Sequence, residues 1–173
     1  IGFLTRGCFR KCPFCVNKLE SSVVRYSDLK DFYDPSRKYI YLWDDNFLFA
    51  DESIWRPALE ELNATKKPFQ FRQGLDLRLI NDQKAELLGK SRYHGDFIFA
   101  FDNWSDRDII VRKLAIWKRH CPHKTTKFYL FCGFKLTESS DDKLYEDVLH
   151  LFTRIQILMR FGCLGYVMRH EDY

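Results

Sequence analysis

Phe97-Ile98-Phe99-Ala100-Phe101-Asp102, then a segment from Ser105 to Trp117, then Lys127-Phe128-Tyr129-Leu130-Phe131, is the stretch that decides the fold class. Its two outer runs are short, apolar and rich in aromatic residues, which is the composition of buried strands. Between them Ile110, Leu114 and Trp117 recur at helical spacing and put one apolar stripe on a helix. Ser105, with Asp108 three residues later, makes a capping-box-like start for that helix. Strand, helix and strand in this order form a β-α-β unit, in which the two strands run parallel.

The same alternation continues outward in both directions. Upstream, Ile1-Gly2-Phe3-Leu4-Thr5, Tyr39-Ile40-Tyr41-Leu42-Trp43 and Phe69-Gln70-Phe71-Arg72 read as strands, and downstream Leu164-Gly165-Tyr166-Val167-Met168 makes a sixth. Leu144, Val148, Phe152, Ile155 and Met159 predict a helix with a single apolar stripe, closed by Gly162. Asp51 is placed to cap a helix carrying Ile54, Ala58 and Leu62, in which Pro57 demands a late start or a kink. Asn81 is placed to cap a shorter helix through Leu88, ending at Gly89. No repeat or Gly/Ser/Pro-rich linker divides the chain, so residues 1–173 are expected to form one α/β domain. The first residue is Ile1 and a motif with chemical character begins within ten residues of it, so a longer protein is the expected source.

Parallel strands that each lead into a helix gather the residues following them on one edge of the sheet, where α/β folds place their sites. That edge collects Cys8, Asp44, Asp45, Asp76, Asp102 and Gly133. Periodicity alone does not separate an open doubly wound sheet from a closed or partial barrel.

Composition narrows the classes. Hydrophobic residues make up 46% and charged residues 30%, which excludes a disordered chain. Aromatics reach 17%, with 16 Phe, so a Phe-rich core is expected. A net charge of +4, with the two signs interspersed, does not indicate nucleic acid; Arg6, Arg10, Lys11 and Lys18 form the one local basic cluster. No apolar run is long enough to cross a bilayer and no signal-peptide pattern opens the chain, so a cytoplasmic location is expected. Asn63-Ala64-Thr65 and Asn103-Trp104-Ser105 match the glycosylation pattern, but the cysteines do not resemble a disulfide framework.

Three of the six cysteines fall in Cys8-Phe9-Arg10-Lys11-Cys12-Pro13-Phe14-Cys15. A cubane iron-sulfur cluster has four irons, each needing an outside ligand, and a loop that supplies three thiolates leaves one iron open to a small molecule. A structural zinc site needs four ligands, and the candidates for a fourth, His94 and Cys121, lie far along the chain. A redox pair would use Cys12 and Cys15 and leave Cys8 idle. Cys121, Cys132 and Cys163 are scattered and read as buried thiols. The histidines show no metal spacing.

Arg6-Gly7-Cys8, the three-then-two spacing and the aromatic Phe14 before the last cysteine resemble the cluster loop of the radical S-adenosylmethionine superfamily. The resemblance spans the chain and implies a partial (β/α)6 TIM-like barrel with parallel strands. It implies that Cys8, Cys12 and Cys15 hold a 4Fe-4S cluster, and that the open iron binds the amino and carboxylate groups of S-adenosylmethionine. One electron then cleaves the sulfonium to give a 5'-deoxyadenosyl radical that takes hydrogen from a substrate the sequence does not name. An external flavodoxin- or ferredoxin-like donor is implied with it.

Phe14 matches a position whose backbone lies near the adenine, or is a plain loop hydrophobe. Asp44-Asp45-Asn46-Phe47 stands where many members carry Gly-Gly-Glu, a departure that still offers acceptors to an ammonium group. Arg72-Gln73-Gly74-Leu75-Asp76-Leu77-Arg78 follows the third strand, where similar proteins keep polar contacts, and Gln73 and Asp76 are the candidates. Asp102 is a candidate for the ribose or a helix cap. Phe131 and Gly133, at the end of the fifth strand, match positions near the adenine, and Val167 matches a backbone contact from the sixth strand. The rival from another class is a non-catalytic iron-sulfur or zinc module that carries electrons or binds nucleic acid; it requires a fourth protein ligand.

Overall fold

The structure, a computed structural model, describes residues 1–15, 17, 21–134 and 140–170. Lys18 of the basic cluster lies outside them. Two short strands, β1 (Thr5–Arg6) and β2 (Val24–Arg25), come first, and from β3 strands and helices alternate: β3 (Ile40–Leu42), α1 (Glu52–Ala64), β4 (Phe69–Phe71), α2 (Asp82–Lys90), β5 (Phe97–Ala100), α3 (Arg107–His120), β6 (Thr126–Cys132), α4 (Asp141–Arg160) and β7 (Leu164–Arg169). β3 pairs with β4 in parallel, and β5, β6 and β7 form a parallel three-stranded sheet in that order. Single parallel bridges add Gly2 to Leu42 and Leu75 to Phe99. Neighbours in the sheet are therefore neighbours in the sequence, and all these pairings are parallel. This is an α/β fold with no closed barrel among the described residues.

The first predicted strand is the one that departs. Gly2 keeps two bonds to β3, from its N–H to the Tyr41 carbonyl and from the Trp43 N–H to its own carbonyl. Beyond it the N–H groups of Leu4 and Thr5 turn to the Asp44 carboxylate instead of a strand. Thr5 and Arg6 then pair antiparallel with β2, a strand the sequence reading did not contain.

The core is Phe-rich as expected, with Phe47, Phe69, Phe71, Phe97, Phe99, Phe101 and Phe128 all buried. α1 is capped by Asp51, which accepts from the Ser53 N–H, and buries Trp55, Ala58, Leu59 and Leu62. It starts at Glu52, well before Pro57, so of the two expectations the late start does not occur; the proline has no N–H to give the Ser53 carbonyl. Asn81 caps α2 as predicted, accepting from the Lys84 N–H at 2.9 Å. α2 crosses α3 closely, because a Cβ at Gly89 would stand 2.8 Å from the Cys121 Sγ.

α3 buries Ile110, Leu114 and Trp117 as predicted, and the Trp117 indole donates to the Thr126 hydroxyl at 3.0 Å. Ser105 is not its cap; it sits inside a 3-10 turn, Trp104–Asp106, that precedes the helix. α4 is the larger correction. Of its predicted stripe only Ile155 is half-buried, whereas Leu144, Val148, Phe152 and Met159 are exposed. The face turned to the sheet carries Leu151, Arg154, Ile155 and Leu158 instead. A Cβ at Gly165 would stand 2.9 Å from Leu130 and 3.8 Å from Ile155 and Leu158, so the missing side chain in β7 sets this docking. Among the described residues no helix is long and apolar enough to cross a membrane.

Candidate functional site

Beyond the C-terminal ends of the parallel strands lies a cleft of about 200 Å³, and the cysteine loop forms one wall. Residues 7–15 belong to no helix or strand. The loop departs at Gly7, whose φ of 106° favours glycine, and it turns at Pro13 and Phe14, where the Cys15 N–H bonds the Cys12 carbonyl at 3.0 Å. Two ion pairs pin it to neighbouring strand ends. Arg6 meets Asp45 at 3.2 Å and Arg10 meets Asp76 at 3.3 Å. Phe9 stacks on Phe49 at 3.8 Å, which packs the loop's flank. All three thiols are half-buried and line the cleft.

After β3 the three polar residues divide their work. Asp44 is 1% exposed and accepts from the Leu4 N–H, the Thr5 N–H and the Thr5 hydroxyl, so its carboxylate serves the entering chain rather than the cleft. Burial pushes its pKa up against those hydrogen bonds. Asp45 lines the cleft and accepts from the Gly7 N–H at 2.9 Å. Asn46 also lines the cleft, and its Nδ2 donates to the Cys8 Sγ at 3.5 Å. Its Oδ1 is buried with no hydrogen-bond partner.

After β4, Gly74 has φ +83° and would place a Cβ 3.1 Å from the Ile98 carbonyl, so only glycine lets the chain cross here. The crossing brings Gln73 and Asp76 to the cleft, with Arg78. Asp76 accepts from the Arg78 N–H and pairs with the Arg78 guanidinium at 2.7 Å, while Arg78 reaches on to Asp106. Burial pushes the Cys12 thiol up, and the Arg78 charge opposes it.

Asp102 lines the cleft and accepts from the Phe131 N–H at 3.1 Å. It spans two strand ends and caps no helix, which sets aside the capping alternative. Burial raises its pKa, against the Phe131 N–H and the Arg154 charge. Phe14, Phe131, Gly133 and Val167 are not among the residues lining the cleft. Phe14 and Phe131 pack together at 4.2 Å, the Gly133 N–H donates to Asp147, and Val167 is 44% exposed on β7.

Arg154 is the residue that sequence reading missed. It is 1% exposed, and its Nη1 donates to the carbonyls of Phe101, Asp102 and Phe131, which joins the ends of β5 and β6 at the cleft. The available signal was a lone arginine within the i, i+3, i+4 positions occupied by Leu151, Ile155 and Leu158.

Three thiols at one cleft match the three protein ligands of an iron-sulfur cluster with an open iron, and neither His94 nor Cys121 joins them as a fourth ligand for zinc. Both candidates for a fourth ligand are engaged elsewhere. His94 stacks on Tyr39 at 4.1 Å, and the buried Cys121 thiol donates to the Ala85 carbonyl at 3.4 Å with its pKa pushed up to about 11. Among the described residues no three His, Cys, Asp or Glu side chains already stand at metal-holding positions, so binding requires the irregular loop to draw its sulfurs together. Comparison with protein-family models and with curated proteins found no match for this chain.

Proposed function

We propose that this chain is the core of a radical S-adenosylmethionine enzyme, with Cys8, Cys12 and Cys15 as the ligands of a 4Fe-4S cluster. The observation that carries this reading is the three half-buried thiols on one wall of a cleft that also gathers Asp45, Asn46, Asp76 and Asp102 beside the apolar Leu75, Ile98 and Phe99. The sequential, parallel strand order, with Gly2 bridged to β3 and Leu75 to β5, supports a partial six-stranded barrel. When bound, the cluster supplies the electron that cleaves S-adenosylmethionine to methionine and a 5'-deoxyadenosyl radical, which takes hydrogen from the substrate.

The chain's share is to hold, orient and desolvate. Asp45 fixes the start of the loop through Gly7 and Arg6, and Asp76 fixes its middle through Arg10. Asn46 Oδ1, buried, without a partner and on a residue that lines the cleft, is the acceptor assigned to the ammonium group of the ligand in this reading. Asp102, tied to Phe131, offers a carboxylate at the cleft for a hydroxyl. The reading carries with it an oxygen-labile cluster, a reducing cytoplasm and an external flavodoxin- or ferredoxin-like donor.

The test is anaerobic reconstitution with iron and sulfide, reduction with dithionite and addition of S-adenosylmethionine, followed by assay for 5'-deoxyadenosine. The wild type forms it and Cys12→Ala does not. A brown, fully assembled protein that yields none points to the electron-carrying module, and a colourless one that retains zinc points to a structural metal site.

A further inference from the structure

We propose that Asn46 sets the reduction potential of the cluster through an N–H···S hydrogen bond to Cys8. The inference rests on the cluster reading above and assigns a role to a residue that the cysteine spacing does not reach. Asn46 is 5% exposed, and its Nδ2 lies 3.5 Å from the Cys8 Sγ. A thiolate that ligates iron accepts hydrogen bonds and donates none, so the amide must present its N–H to the sulfur, which leaves Oδ1 facing away.

The two residues before it cannot do this work. Asp44 is saturated by Leu4 and Thr5, Asp45 is held by Gly7 and Arg6, and a carboxylate has no proton to give a sulfur. The Asn46 backbone is fixed independently of its side chain, since its carbonyl accepts from the Phe49 N–H at 3.0 Å and the side chain makes no cap to the following turn. The amide N–H is therefore available to the sulfur.

A hydrogen bond to a ligating sulfur withdraws charge from the cluster and favours its reduced, more negative form, which raises the potential. Burial strengthens the effect because little water competes. Oδ1 lies at the other end of the same amide, so a donor bound there polarises the N–H further, and ligand binding and cluster reduction favour each other reciprocally.

The test is an anaerobic redox titration of the reconstituted, ligand-free protein, followed by electron paramagnetic resonance, for wild type, Asn46→Leu and Asn46→Ala. Both variants should titrate at lower potential than wild type. Asn46→Leu should fall further, because the cavity left by alanine admits a water that donates in the amide's place. Asn46→Ala also keeps the test intact if leucine crowds the loop. Assembled clusters with the wild-type potential in both variants would overturn the role of Asn46 while the cluster reading stands. No 4Fe-4S signal in the wild type would bring down the cluster reading itself, and this inference with it.

Discussion

Two sets of three cysteines occupy this chain in opposite circumstances. Cys8, Cys12 and Cys15 sit on an irregular loop, half-buried, along one cleft. Cys121 and Cys163 are buried and Cys132 is half-buried, and each donates to a backbone carbonyl, of Ala85, Phe161 and Met168 in turn. The first set is positioned by ion pairs that cross from one strand end to the next, and the second by the packing of helices and strands. Under the proposed reading, the contrast separates thiols that would hold a cluster from thiols that behave as small hydrophobes.

The sharpest way to break the comparison is to remove one thiol from each set. Cys8→Ala, Cys12→Ala or Cys15→Ala should abolish iron uptake and visible absorbance after anaerobic reconstitution, and Cys121→Ala should retain both. Equal iron content in all four would erase the distinction. Labelling offers a second route. In metal-free protein Cys121, buried and with its thiol pushed up to about 11, should be alkylated far more slowly than the half-buried Cys8 and Cys15 of the cleft, as read by mass spectrometry.

The packing that carries the second set is weakest against change at Arg154. Arg154→Met strips the donor from three strand-end carbonyls and should cost about 3 kcal/mol in urea unfolding. Gly89→Ala is smaller. Its Cβ crowds the Cys121 Sγ at a cost of about 2 kcal/mol, and helix propensity returns about 1 kcal/mol, so a net loss of about 1 kcal/mol is expected with iron uptake unchanged. Arg10→Ala breaks a partly exposed ion pair and should cost less than about 1 kcal/mol of global stability, yet it should slow cluster assembly by loosening the loop.

What was legible in the sequence follows from which forces write periodic patterns. The strands centred on Tyr41, Gln70, Ile98, Tyr129 and Tyr166 were readable because aromatic and branched runs have few other uses, and the caps at Asp51 and Asn81 were readable because their chemistry is local. The convergence of Asp45, Asp76 and Asp102 with the thiols followed from parallel topology. Three things were not legible. Asp44 binds Leu4 and Thr5 across 40 and 39 residues of sequence, and no local pattern separates it from Asp45. The inner face of α4 contains a charged residue, so an apolar stripe chosen by hydrophobicity selected the exposed side. The N–H···S contact of Asn46 depends on how two loops meet.

The central claim is that the three-thiol loop leaves one iron open to a small ligand. It is tested most directly by the electron paramagnetic resonance spectrum of the dithionite-reduced, reconstituted protein before and after addition of S-adenosylmethionine. The account predicts a 4Fe-4S spectrum that changes on addition, because the ligand coordinates the cluster. An assembled cluster whose spectrum is the same with and without S-adenosylmethionine would contradict it.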